Sequence, residues 1–72
     1  MEAQMVELLE SNGWSNSHET KSKWSKENAI FDVALDQVIS LTDGSCIKFT
    51  AEKDGIKQRL RVAEKVAKND FM

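Results

Sequence analysis

The chain has 72 residues and a formal net charge of −2, and 40% of its residues are hydrophobic while 31% are charged. This composition excludes wholesale disorder and predicts one small globular domain over residues 1–72. A chain of this length buries only roughly 60% of the surface that its unfolded form exposes, so a large internal pocket is not expected.

Several classes of protein are excluded by what the chain lacks. A single cysteine, Cys46, and a single histidine, His18, cannot form an intramolecular disulfide or a Cys/His zinc site. No apolar run reaches the ~18 residues that cross a bilayer, and the first residues lack the basic segment of a secretory signal. We therefore predict a cytoplasmic protein with no cofactor, no metal and no membrane partner.

The first elements are predicted to be a helix and a polar loop. Residues 2–11 place their apolar side chains on one arc, and Gly13 suits the left-handed position that follows a helix. Residues 15–23 are polar throughout and predict a loop. Trp14 and Trp24 bracket this loop and are expected to anchor its two ends in the core.

A second helix is predicted from Ser25, which can cap it, to about Gln37. Its apolar arc comprises Ile30, Phe31, Ala34, Leu35 and Val38. The stretch from Trp24 to Leu35 resembles the first helix of Myb/SANT repeats, which also begin with Trp and Ser or Thr, continue with an acidic turn and place Phe and Ala-Leu inward. Those repeats carry further large aromatic residues in their later helices. This chain has no later tryptophan, so no function is carried over from the resemblance.

The pair Asp43-Gly44 lies between two runs of β-branched and aromatic residues and predicts a two-residue β-hairpin. In this register Leu41 faces Cys46, and Cys46 is expected to be a buried, inert strand residue. The residues expected to face the core are Ile47, Phe49 and Ala51.

Two structures are compatible with the residues that follow the second turn pair, Asp54-Gly55. Residues 56–69 can form a basic amphipathic helix, or residues 56–62 can form a third strand. We favour the helix, because most of these residues are good helix formers and no turn signal interrupts them. The predicted fold class is α+β, with two N-terminal helices, a hairpin and a C-terminal basic amphipathic helix. The alternative is a three-stranded meander with a short C-terminal helix.

Positive charge is concentrated in the second half of the chain. Residues 1–20 carry four glutamates and no Lys or Arg, whereas residues 46–69 carry seven cations against three acids. Both alternatives for residues 56–62 place several of these cations on one surface, which would attract phosphates. The candidate nucleic-acid-binding residues are Lys48, Lys57, Arg59, Arg61, Lys65 and Lys68.

The sequence shows no catalytic motif and no glycine-rich phosphate loop, so we do not expect an enzyme. The prediction is a small binding module, and a nucleic-acid-binding regulator is the first candidate. One alternative is a phage-type accessory protein that binds and inhibits a larger protein. Another is a self-associating module that forms a homodimer through a strand edge or the C-terminal helix.

Overall fold

The computed structural model describes residues 3–16, 19, 21–50, 52 and 54–69. In chain order it has α1 (Ala3–Ser11), β1 (Ser15–Asn16), β2 (Lys23–Lys26), β3 (Ala29–Asp32), β4 (Gln37–Ser40), β5 (Cys46–Lys48) and α2 (Ile56–Lys68). The five strands follow one another across a single antiparallel sheet. The predicted α+β class is confirmed, as a five-stranded meander with one helix before it and one after it.

Both predicted terminal helices are confirmed. Helix α1 covers the described part of residues 2–11, and Gly13 after it has a φ of 86°, which is the left-handed conformation expected there. Helix α2 includes residues 56–62, so the alternative prediction of a third strand there is wrong. It ends at Lys68, and the Asn69 that follows has a φ of 54° and donates its N–H to the carbonyl oxygens of Lys65 and Val66.

The helices cover one face of the sheet. Cross-strand partners Trp24, Phe31 and Val38 form a buried row on this face, and α2 packs against β3 and β4. The Phe31 ring stacks on Phe49 with centroids 5.6 Å apart and meets Trp14 edge-on at 6.5 Å. Trp14 and Trp24 are 4% and 6% exposed. The prediction that both indoles anchor the polar segment in the core is therefore confirmed.

The helix predicted from Ser25 to Gln37 is wrong, because β2, β3 and the start of β4 occupy this stretch. Two turns interrupt it, and neither contains glycine or proline. Glu27 has a φ of 49° in the two-residue turn between β2 and β3, and Asp36 has a φ of 55° in the turn between β3 and β4. The likeness to a Myb/SANT helix therefore does not extend to the structure.

Each of these turns is held by a side chain. Asp32 accepts a hydrogen bond from the backbone N–H of Leu35 at 3.0 Å, which fixes the turn between β3 and β4. Asn28 donates both its backbone and its side-chain N–H to the carbonyl oxygen of Ala67, each at 3.2 Å. The two hydrogen bonds of Asn28 therefore link the turn between β2 and β3 to the C-terminal end of α2.

The hairpin around Gly44 exists, but its register differs from the prediction. Cys46 faces Ile39 rather than Leu41, which shifts the pairing by two residues. The connection is longer than two residues because Gly44, with a φ of 75°, donates its N–H to the Ser40 carbonyl at 2.9 Å. As a result Leu41 lies outside the sheet and is 55% exposed.

The burial predicted for the side chains that follow Gly44 is confirmed for some of them and wrong for others. Phe49 is buried as predicted, and Ile47 is partly buried against the core. Ala51 lies outside the described residues. Cys46 is exposed, so its predicted burial is wrong.

The segment 15–23, predicted as a loop, begins in β1 and ends in β2. The Asn16 side chain donates to the carbonyl oxygens of Lys21 at 3.0 Å and Lys23 at 3.3 Å. These bonds add to the short pairing of β1 with β2, because β1 has only two residues.

The other face of the sheet is not covered by any described element. Ile30 and Ile39 are neighbours on it and are partly exposed. Leu35 and Leu41, in the adjacent turns, are the large hydrophobic residues with high exposure. This face is therefore apolar at its centre and polar at its margins.

Of the helices in the described ranges, neither combines the length and the apolar character needed to cross a bilayer.

Truncation of Phe31 is expected to remove most of the stability of the fold. Phe31→Ala leaves a cavity between two aromatic rings and should lower the free energy of unfolding by about 3–5 kcal/mol. Urea denaturation followed by tryptophan fluorescence measures this change. The control is Leu35→Ala, at a side chain that is 65% exposed, which should change stability by no more than about 0.5 kcal/mol. Equal losses for the two variants would contradict the central position of Phe31.

Candidate nucleic-acid interface on helix α2

Four of the predicted cations lie along the solvent side of α2. The helix turns its apolar face toward the sheet, where Ala63, Val66 and Ala67 are buried. On the opposite side, cations recur at intervals of about one turn, and all of them are exposed. We call this set the basic stripe. It consists of Lys57, Arg61, Lys65 and Lys68.

Glu64 is the single acidic residue of α2 and lies at the margin of the basic stripe. Its Oε1 accepts a hydrogen bond from Trp14 Nε1 at 2.9 Å. Lys26 Nζ lies 3.1 Å from Oε1 and 2.8 Å from Oε2, and it also donates to the Asn12 carbonyl oxygen at 2.7 Å. The carboxylate is therefore directed toward α1 and β2, where Lys26 balances its charge.

The pKa of Glu64 is set by opposing effects. Burial raises it, whereas the hydrogen bonds from Lys26 and Trp14 and the charges of Lys26 and Lys68 lower it, and the net result is a pKa below the usual value. Glu64 consequently stays ionised at neutral pH.

Arg59 does not belong to the solvent-facing surface. It is 5% exposed, and its Nη2 lies 3.4 Å from Asp36 Oδ2 in the turn between β3 and β4. The helical projection already indicates this position, because Arg59 falls on the same arc as Ala63 and Val66. Asp36 could not be identified as its partner from the sequence, because the stretch from Ser25 to Gln37 was predicted to be a helix and not strands joined by turns.

Lys48 is exposed but lies on another surface. It pairs with Gln37 of β4 and belongs to the cross-strand row that also contains Lys23 and Asp32. This row alternates with the buried row of Phe31, so it lies on the face of the sheet that α2 does not cover. The structure therefore brings together four of the six predicted residues.

One end of the basic stripe adjoins the acidic helix. Lys57 and Glu7 both line a surface groove of about 360 Å³ between α1 and α2. Leu8 and Ile56 also line this groove. The positive surface is thus bounded by α1 at Lys57, and its remaining cations lie toward the C-terminal end of α2.

Sequence reasoning missed the residues that orient the site. Lys26 and Glu64 lie 38 positions apart, and Trp14 and Glu64 lie 50 apart. No local pattern connects residues at such separations. Within the described ranges, no group of three or more His, Cys, Asp and Glu residues is arranged to hold a metal ion, and His18 lies outside these ranges.

No protein-family model matches the chain, and neither the curated proteins nor the solved structures give a match. A function is therefore inferred from the geometry and charge of the protein's surfaces.

The contribution of Glu64 to stability should depend on pH. Because the folded protein lowers its pKa, the contribution is complete above the ordinary pKa of 4.5, decreases as the pH falls below that value and is lost once the folded-state pKa is passed. Glu64→Gln should therefore lower the free energy of unfolding by about 1 kcal/mol at neutral pH, where it removes a partly buried ion pair. The difference from wild type should disappear in acid.

Urea denaturation at a series of pH values measures this effect. Glu10→Gln, on the exposed side of α1, removes the same charge and serves as the control. It should give a smaller difference at neutral pH, and a Glu64→Gln effect that does not change with pH would contradict the assignment.

Proposed function

We propose that this chain is a small non-enzymatic module that binds nucleic acid through phosphate contacts along the basic stripe. The observation that carries the proposal is the arrangement of charge on α2. Its four exposed cations share one side of the helix, while the single acid of the helix bonds to Trp14 and Lys26. Glu64 lies beside these cations, but Lys26 balances its charge, so the surface that a phosphate meets is net positive.

The dimensions of the stripe fit a polyanion. From Lys57 to Lys68 it spans about 16 Å along the helix axis, at about 1.5 Å per residue. Arg61 can bind a phosphate with two N–H groups, and the three lysines act as single charges. A ligand that follows the stripe meets up to four cations, so affinity should decrease steeply with salt.

The buried aromatic residues favour a duplex over a single strand. Proteins that bind single strands stack bases on exposed aromatic rings. In this protein Trp14, Trp24, Phe31 and Phe49 are all buried, so none of the described aromatic residues can serve this purpose. The proposed contact is therefore with the phosphate backbone of a duplex, without direct reading of bases.

The second candidate is a phage-type accessory protein that binds and inhibits a larger protein. The open face of the sheet favours it, because Ile30 and Ile39 are neighbours on this face and partly exposed. In the turns at the two ends of β4, Leu35 and Leu41 are 65% and 55% exposed. Exposed apolar patches of this kind are typical of protein-binding surfaces. A cytoplasmic location suits both candidates, since a reducing compartment preserves the exposed Cys46 thiol.

Self-association through the apolar face of α2 has no support, because Ala63 and Ala67 are fully buried against the core. A homodimer would have to use a strand edge.

The basic stripe can be tested by neutralising part of it. Fluorescence anisotropy with a labelled mixed-sequence duplex should show binding by the wild type, with a logarithmic salt slope of about −3 to −4. The triple variant K57Q/R61Q/K65Q should lose at least about tenfold in affinity, and its slope should fall by about one unit for each residue changed.

The matched control is K21Q/K23Q/K48Q, which removes the same charge from exposed positions outside α2. It should bind nearly as well as the wild type. Equal losses in the two triple variants would mean that net charge alone governs binding. No wild-type binding to DNA or RNA duplexes at low salt would overturn the proposal and favour the protein-binding candidate.

A further inference from the structure

Strand β5 forms one edge of the sheet and pairs only with β4. In an antiparallel ladder, successive residues direct their N–H and C=O groups alternately to the two sides of the strand. Ser45 and Phe49 form backbone bonds toward the β4 side, at 2.8 and 2.9 Å. Ile47 therefore also bonds toward β4, whereas Cys46 and Lys48 direct their N–H and C=O groups outward.

The open part of this edge has defined ends. Thr50 would be the next residue to face outward, but its N–H donates to Asp54 Oδ2 at 3.1 Å and its carbonyl accepts the Asp54 N–H at 2.8 Å. At the other end, the Gly44 N–H donates to the Ser40 carbonyl. The edge thus presents two donors and two acceptors, at Cys46 and Lys48, with no backbone partner among the described residues.

We propose that this edge pairs with the same edge of a second copy, as an antiparallel dimer whose twofold axis passes between the two Ile47 residues. In this register Cys46 of one copy lies opposite Lys48 of the other. All outward donors and acceptors are then used, which gives four hydrogen bonds by symmetry. An isologous contact of this kind closes the assembly at two copies.

The neighbouring registers are less favourable. Centring the pair on Cys46 places Lys48 opposite Gly44, whose N–H is already bonded within its turn. Centring it on Lys48 places two lysines directly opposite each other, which is destabilising, and directs Cys46 at the occupied Thr50. The proposed register avoids both conflicts.

The apolar side chains also favour the proposed register. Ile47 is the last member of the row formed by Trp24, Phe31 and Val38, and it is only partly buried at the end of that row. Around the axis the two Ile47 residues form a pair without hydrogen bonds, in which side chains approach most closely. Pairing therefore continues the core from one copy into the next.

The dimer would also place the helices of both copies on the same side of a continuous sheet. Two basic stripes would then lie on one side of the assembly. This consequence rests on the proposed function, whereas the pairing of the edges does not.

Cross-linking tests the register. In the double variant C46S/I47C, the two substituted positions lie opposite each other about 4.5 Å apart at Cα, which is within the range of a disulfide. Mild oxidation should give a covalent dimer on a non-reducing gel. In the matched control C46S/K48C, each substituted position lies one residue from the axis, so the two are offset by two residues along the strands and lie more than about 7 Å apart. They should therefore not cross-link. Equal cross-linking of both variants, or of neither, would overturn the register.

Sedimentation over a range of concentrations tests the pairing itself, without nucleic acid. Lys48→Pro removes an outward N–H and leaves the bonds to β4 intact, because proline is tolerated at an edge position whose N–H faces solvent. It should sediment as a monomer, while Lys48→Ala should associate like the wild type. A wild-type chain that is monomeric at millimolar concentration would overturn the proposal. If such a monomer still binds a duplex through the basic stripe, the proposed function stands alone.

Discussion

Helix α2 is fixed on the sheet by polar contacts at both ends, and the rest of the molecule depends on that placement. Near its start, Arg59 reaches Asp36 in the turn between β3 and β4. Near its end, Ala67 accepts the N–H groups of Asn28 in the turn between β2 and β3. These turns lie at opposite ends of β3, so α2 runs along this strand in the reverse direction. The two contacts fix both the position of the helix and its rotation about its axis.

The polar and apolar contacts of α2 have different consequences. A partly exposed ion pair such as Lys26–Glu64 stabilises a fold by about 0–1 kcal/mol, whereas a buried aromatic ring such as Phe31 contributes about 3–5 kcal/mol. Stability therefore comes mainly from the apolar layer between the sheet and the helices. The polar contacts select one orientation of α2, because a buried guanidinium without Asp36 would carry a large desolvation cost.

The sequence predicted those elements whose signals are local. Helix α2 was predictable because its apolar arc repeats over many turns, and α1 was predictable because Gly13 marks its end. The central strands were not, since β2 to β4 each have four residues. Over such short runs, apolar residues spaced to suit a helix also suit alternating strands. The turn at Glu27 further lacks the glycine that usually marks a positive φ.

The same limit explains the outcome for the candidate site. The four cations of the basic stripe share a surface because they share one helix, which the sequence alone indicates. The buried position of Arg59 follows from the same helix, but its partner Asp36 lies in a stretch that was wrongly predicted as a helix. The placement of Lys48 depends on a face of the sheet that only the register defines. The bonds that hold Glu64 join residues far apart in the chain, so they follow from the fold.

A net charge of −2 does not oppose a positive surface on α2. At physiological salt, charges separated by more than about 8 Å are largely screened. A ligand therefore responds to the charges of the nearest side chains and not to the net charge of the protein. Near Lys57 those side chains include Glu7 of α1. Beside Lys65 and Lys68 they include Glu64, whose charge Lys26 balances. Under the proposed function, a polyanion bound to the basic stripe should be directed away from α1 by the charge of Glu7. The acidic helix would then set the direction in which a duplex lies across the protein.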